Sequence, residues 1–75
     1  MKLPNKVLNY KESIISKFPI VLSLLGNKKY SILTLFEKIK HQIDGINEYL
    51  EILDSLYALN KIQLDESSRR LYCVN

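Results

Sequence analysis

The fold is decided by the last thirty residues, which read INEYLEILDSLYALNKIQLDESSRRLYCVN (46–75). Apolar residues in the first half recur at helical spacing and end at Asn60, which predicts an amphipathic helix starting at Ile46. Polar and apolar residues then alternate over 61–64 and again over 69–74, around a turn-like Asp-Glu-Ser-Ser segment at 65–68. The stretch therefore predicts a helix followed by a β-hairpin.

The two faces of this helix differ strongly in character. At 100° per residue, one half of the wheel is expected to pack inside the protein and contains Ile46, Tyr49, Leu50, Ile52, Leu53, Leu56, Tyr57 and Leu59. The other half carries Glu48, Glu51 and Asp54 with small or neutral residues between them. The sequence thus predicts an acidic helix face that is open to solvent.

An earlier helical region is predicted over residues 11–25. Its apolar residues recur at spacings of three and four, and it ends at the Gly26-Asn27 stop signal. Pro19 lies inside it, and proline removes a helical hydrogen bond, so we expect a kink or break near Phe18.

A second helix is predicted to start with Ser31 as its N-cap and to end at Asp44-Gly45. Its expected core stripe is Ile32, Leu35, Phe36, Ile39 and Ile43. With the helix from Ile46 and the hairpin, this gives a mainly α protein with a C-terminal β-hairpin. The arrangement is winged-helix-like, with three helices and a two-stranded wing.

The domain is expected to span residues 11–75, after an extended N-terminal arm over residues 1–10. The arm lacks helical periodicity, and Pro4 disfavours the helical conformation at Leu3. Seventy-five residues allow one domain at most. The single cysteine cannot form an intrachain disulfide, which favours the cytoplasm, and no apolar segment is long enough to span a membrane.

The residue inventory gives little support to an enzyme. His41 and Cys73 are the only members of their types, and they are far apart in a chain without a glycine-rich phosphate loop. His41 is better explained as a polar residue at a helix end, and Cys73 as a small packed side chain. We therefore expect no catalytic residue, no metal, no cofactor and no small-molecule substrate.

DNA reading by the helix from Ile46 is also disfavoured. Winged-helix proteins place such a helix in the major groove, where lysine and arginine neutralise phosphates. Here Glu48, Glu51 and Asp54 would face the phosphates, and the helix from Ile46 has no basic residue before Lys61. Basic residues elsewhere that could contact a DNA backbone are Lys28, Lys29, Arg69 and Arg70. A small DNA-binding winged-helix regulator therefore stays open as the alternative.

A protein-interaction module fits these features better. The acidic helix face would suit a basic protein surface. The N-terminal arm carries apolar residues that its own short segment cannot bury, and three tyrosines at 10, 30 and 72 could add amphipathic contact area.

Three motifs resemble the small middle components of bacterial ABC three-component systems. They are Leu3-Pro4-Asn5-Lys6, Leu22-Ser23-Leu24-Leu25, and Leu53-Asp54-Ser55-Leu56-Tyr57-Ala58-Leu59 followed by Ile62. The resemblance covers nearly the whole chain. It implies a noncatalytic adaptor in a Lamassu-type antiphage or antiplasmid defence complex.

The resemblance also implies the partners. They are an SMC-like ABC ATPase and an effector, often a nuclease, encoded nearby, with DNA engaged indirectly through the ATPase. The resemblance nominates Leu3, Pro4, Asn5 and Lys6 as residues that contact these partners. The acidic residues Glu48, Glu51 and Asp54 of the helix from Ile46 are expected to contact them as well.

Overall fold

The computed structural model describes the backbone of residues 3–74 and the side chains of residues 10–74. The elements follow in the order α1 (Leu3–Ser16), α2 (Phe18–Leu25), α3 (Ile32–Ile39), a 3-10 turn (Lys40–Gln42), α4 (Ile46–Ala58), β1 (Ile62–Asp65) and β2 (Arg70–Cys73). The predicted class, mainly α with a C-terminal β-hairpin, is confirmed. The first predicted helical region is divided into α1 and α2 at Lys17, next to the expected position of the break.

The extended arm is the main error in the predicted fold. Over the described part of the arm, residues 3–10, the chain is helical and forms the first turns of α1. Pro4 is compatible with this because the N–H groups of a first helical turn have no acceptor within the helix. Met1 and Lys2 lie outside the described residues.

Local signals place the start of α3 and the ends of α2 and α4 where the sequence predicts them, but α3 ends at Ile39 and a 3-10 turn follows, short of the predicted end at Asp44-Gly45. The Ser31 hydroxyl accepts a hydrogen bond of 3.1 Å from the Thr34 N–H, so Ser31 caps α3. Gly26 follows α2 with a φ of 41°, a left-handed value that suits glycine. Asn60 has a φ of 62° just after α4 and turns the chain toward β1.

The hairpin is attached to the helices through a third short segment. β1 and β2 pair antiparallel, with Ile62 opposite Cys73 and Leu64 opposite Leu71. Leu71 also exchanges two backbone hydrogen bonds, of 3.1 and 2.7 Å, with Tyr30 in the loop between α2 and α3. This extra pairing fixes the hairpin beside α3 and α4 in a winged-helix-like arrangement.

The core is centred on α4. Tyr49, Ile52, Leu53 and Leu56 are buried, and they pack with the buried residues Ile14, Val21, Leu25, Leu35, Ile39, Ile62 and Leu71. Tyr49 donates a hydrogen bond of 2.6 Å to the Ile32 carbonyl, which satisfies its buried hydroxyl, and burial raises the pKa of Tyr49 to about 12.

The buried stripe of α4 is narrower than predicted. Ile46, Leu50, Tyr57 and Leu59 were expected on the packed half of the wheel, but their side chains are exposed. Ile32, expected in the α3 core stripe, is exposed as well. The domain does not have enough neighbouring elements to cover all of these side chains. Among residues 3–74, no helix has the length and apolar character required to cross a membrane.

Candidate protein-interaction surface

Glu48 does not belong to an open acidic face, contrary to the prediction. Its side chain is 7% exposed and forms an ion pair of 2.8 Å with Lys17, the residue between α1 and α2. The Ser13 hydroxyl and the Asp44 N–H also donate to its carboxylate, at 3.0 and 2.7 Å. Glu48 therefore joins α1, the break at Lys17 and the start of α4, and it is not available to a partner.

These donors control the ionisation of Glu48. Burial disfavours the charged carboxylate, but hydrogen bonds from Lys17, from the Asp44 N–H and from Ser13 favour it. Their combined effect outweighs the burial and lowers the pKa of Glu48 below its ordinary value of 4.5. The residue is thus charged at neutral pH and acts as a structural tie between helices.

Glu51 and Asp54 are exposed on α4, as predicted. Among residues 10–74, neither carboxylate lies within 4.0 Å of a basic group. The open acidic face of α4 therefore consists of these two residues, and their charges are free to act on a neighbouring molecule.

An apolar groove lies beside these two carboxylates, between α4 and the hairpin. We call it the hairpin groove, and it has a volume of about 410 Å³. Its lining residues are Ile32, Leu50, Glu51, Leu53, Asp54, Tyr57, Ile62, Leu64 and Leu71. Four of them, Ile32, Leu50, Tyr57 and Leu64, are large apolar side chains left exposed.

A second apolar groove lies on the opposite side of Glu51, between α4 and the first two helices. We call it the α1 groove, and it has a volume of about 610 Å³. Its lining residues are Tyr10, Lys11, Ile14, Ile15, Phe18, Glu51, Ser55, Ala58 and Leu59. Because Glu51 lines both grooves, α4 forms the ridge between two apolar surfaces.

The four basic candidates are only partly brought together. Lys29 and Arg70 line a small polar hollow of about 290 Å³ beside α3, whereas Lys28 and Arg69 do not line it. Lys29 is already engaged, since it lies 2.6 Å from Asp65 and 5.3 Å from the centre of the Tyr72 ring. The hydrogen bond from Lys29, with those from Ser67, holds the pKa of Asp65 well below its usual range.

The other predicted contact residues are at the beginning of the chain. Leu3, Pro4, Asn5 and Lys6 form the first turn of α1. They are therefore part of a helix, and any contact they make with a partner would be made from that helix.

His41 and Cys73, the two residues considered for metal or catalytic chemistry, lie on different elements. His41 is exposed in the 3-10 turn, and Cys73 is half-buried at the end of β2. In the part of the chain that the structure describes, no three His, Cys, Asp or Glu side chains are grouped as a metal site would require.

The exposed apolar residues of the hairpin groove were missed by the sequence reasoning. Leu50 and Tyr57 were assigned to the core because they fall on the apolar half of the wheel. The available signal was the width of the apolar face, since a face of about 180° is much wider than the stripe of roughly 100° with which a surface helix typically packs against a core.

These observations define a small winged-helix-like domain whose α4 face is apolar and acidic. A family model described as ABC-three component (ABC-3C) system Middle Component 7 matches residues 3–71, and the chain belongs to this family. The resemblance to middle components of ABC three-component systems is confirmed at this level. Neither the search of curated proteins nor the search of solved structures gives a match.

Proposed function

We propose that this middle component is a noncatalytic adaptor that links an SMC-like ABC ATPase to its effector in a bacterial antiphage or antiplasmid defence complex. The effector in this proposal is a nuclease, and the complex is of the Lamassu type. Membership of the middle component family supports a role within a three-component system. The single free thiol, Cys73, fits action in the reducing cytoplasm.

The observation that carries the adaptor role is the character of the α4 face. In a DNA-reading winged helix this face would meet phosphates and would need lysine or arginine. Here it presents Glu51 and Asp54 between two apolar grooves. Exposed apolar surface of this kind, rimmed by polar residues, is typical of protein–protein contact sites.

Two grooves on opposite sides of one helix also suit an adaptor, which has to contact two different proteins. In this proposal the hairpin groove and the α1 groove each receive one partner. The start of α1, including Leu3 to Lys6, extends the α1 side of the protein and contributes to the contact there. DNA reaches the complex through the ATPase.

Co-purification tests this proposal directly. The chain, the ATPase and the effector of the same system are expressed together, each with a separate tag, and each is pulled down in turn. We expect the middle component to recover both other proteins, and we expect the ATPase to recover the effector only when the middle component is present. Recovery of the effector by the ATPase at full yield without this chain would rule out a linking role.

Deletion of residues 2–6 examines the start of α1 in the same assay. The expected result is a weaker pull-down with at least one partner, with a melting temperature of the free chain close to that of the unaltered protein. A full-strength pull-down with both partners would remove Leu3, Pro4, Asn5 and Lys6 from the interface.

A further inference from the structure

The hairpin groove has an apolar floor and apolar walls. Leu53, Ile62 and Leu71 are buried at its base, while Leu50 and Tyr57 on one side and Leu64 on the other stay exposed. These three exposed side chains belong to α4 and β1, whose buried residues Leu53 and Ile62 share the core, and exposed Ile32 of α3 also lines the groove. The walls of the groove are therefore built on elements that pack together in the core.

The charge of the groove has one sign. Glu51 and Asp54 line it, and among residues 10–74 no lysine, arginine or histidine does. Three other carboxylates are paired with a lysine of the same chain: Glu48 with Lys17 at 2.8 Å, Asp65 with Lys29 at 2.6 Å, and Glu37 with Lys40 at 3.0 Å. The two carboxylates of the groove have no such pairing among residues 10–74, so the groove is complementary to an apolar segment that carries positive charge.

The backbone of the groove favours a helical occupant. The backbone groups of α4 are bonded within its helix, and β2 is paired with β1 on one edge and with Tyr30 on the other. Among the described residues, β1 pairs with β2 alone, so its outer edge is the one strand edge left open beside the groove. β1 has only four residues, so this edge could satisfy part of an extended segment and would leave the rest of its N–H and C=O groups against apolar walls, whereas a helix satisfies its own backbone hydrogen bonds.

We propose that the hairpin groove binds an amphipathic helix whose apolar stripe is flanked by lysine or arginine, contributed by the ATPase or the effector. The stripe packs between Leu50, Tyr57 and Leu64, and the flanking cations pair with Glu51 and Asp54. This proposal rests on the adaptor role above and adds to it the chemistry of one partner segment.

Two pairs of variants test the groove in the full complex. Glu51→Lys with Asp54→Lys reverses the charge of the rim, and its control, Glu12→Lys with Glu66→Lys, reverses two exposed acids that do not line the groove. We expect the first pair to weaken recovery of one partner at least about tenfold, which is the scale of an interface hot spot, and the control to leave it unchanged.

A matched pair of leucine variants distinguishes the loss of a surface contact from a loss of folding. Leu50→Ser removes a groove wall, and Leu33→Ser changes a residue that is 74% exposed on α3 and lines neither groove. Both positions are on the surface, so melting curves are expected to stay close to that of the unaltered chain. Only Leu50→Ser is expected to reduce recovery of the partner.

The partner segment is identified with overlapping synthetic peptides that cover the ATPase and the effector. Fluorescence anisotropy with the full chain should detect a peptide with apolar residues at i, i+3 or i+4 and i+7 and with flanking lysine or arginine. Its binding should weaken with added salt and with the Glu51→Lys, Asp54→Lys pair.

The possible contrary results contradict different parts of the two proposals. If the three proteins assemble and every groove variant recovers its partners as well as the unaltered chain does, the groove assignment is wrong and the adaptor role stands. An acidic or non-helical binding peptide, or a photo-crosslink from position 57 to a second copy of this chain, would also overturn the assignment. If the unaltered chain recovers neither protein, the adaptor role fails, and the groove proposal fails with it.

Discussion

Glu48 shows how one buried charge organises this small protein. It is the third residue of α4, where a glutamate often bonds back to the N–H groups before the helix, and it accepts from the Asp44 N–H in this way. It also accepts from Lys17 and Ser13. Two distant parts of the chain, residues 13–17 and 44–48, are therefore joined at one carboxylate, and we expect these bonds to contribute to stability.

Replacing Glu48 by glutamine should lower the free energy of unfolding at pH 7 by about 1–2 kcal/mol, because charged hydrogen bonds are exchanged for weaker neutral ones. Glu51→Gln is the matched control on the same helix, exposed and unpaired, and should change stability by less than about 0.5 kcal/mol. Urea denaturation measures both. Equal effects of the two substitutions would show that the Glu48 network contributes nothing.

The unaltered chain and Glu48→Gln should also differ in how their stability depends on pH. The pKa of folded Glu48 lies below its ordinary value of 4.5, so its contribution is complete above that pH and is lost as the pH falls through the folded pKa. The stability difference between the unaltered chain and Glu48→Gln should therefore be largest near neutrality and shrink in acid. A difference that stays constant from pH 7 to about pH 3 would contradict this assignment.

At the scale of the element, α4 shows what its sequence could and could not predict. Its limits follow from short-range signals, since Gly45 precedes it and Asn60 turns the chain after it. The face that packs depends on which other elements are near it. Tyr49, Ile52, Leu53 and Leu56 are covered, whereas Leu50 and Tyr57 have no element above them.

The other correct predictions concern local contacts, and the errors have their own physical causes. Ser31 and Gly26 act through local hydrogen bonds and backbone conformation, so the sequence predicts their roles correctly. Pro4 was misread, because a proline in the first turn of a helix costs little. The burial of Glu48 depends on Lys17, which lies between α1 and α2 and far from Glu48 in the chain. The available signal for this burial was the spacing of four between Glu48 and Ile52, which places Glu48 beside the buried stripe of α4.

Leu56→Ala should lower the free energy of unfolding by about 2–5 kcal/mol, because it leaves a cavity at a side chain with no exposed surface. Leu50→Ala makes the same chemical change on the same helix, at a side chain that is 52% exposed, and should cost less than about 0.5 kcal/mol. Chemical denaturation of both variants gives the comparison. A large loss at Leu50 together with a small one at Leu56 would mean that α4 is rotated from the position described here.

At the scale of the whole molecule, the distribution of charge affects how strongly the chain can bind DNA. The formal net charge is +3. Lys17 and Lys29 are held in internal ion pairs, and Arg69 and Arg70 lie at the hairpin turn rather than on α4. Within the part of the chain that the structure describes, the α4 face that a winged helix would turn toward DNA therefore presents carboxylates instead of the basic groups that strong binding to phosphates requires.

The isolated chain should bind duplex DNA no more tightly than ordinary non-specific proteins do, with a Kd of about 10⁻⁶ M or weaker at physiological salt. Fluorescence anisotropy measures this. Any residual binding should fall when Arg69 and Arg70 are changed to alanine, and should fall less when Lys11 and Lys40 are changed instead. Salt-sensitive binding well below 10⁻⁶ M by the chain alone would favour the alternative, a DNA-binding winged-helix regulator.

The pairing of Tyr30 with Leu71 also has a consequence for the order in which the chain folds. The two residues close a loop of chain that contains α3, α4 and β1. Closing a long loop costs entropy, and this cost is recovered only when the enclosed helices pack. The hairpin can form early by itself because its strands are neighbours in the chain. We therefore expect the attachment at Tyr30 to form late, after the helices have packed, so that the hairpin groove is completed only in the folded molecule.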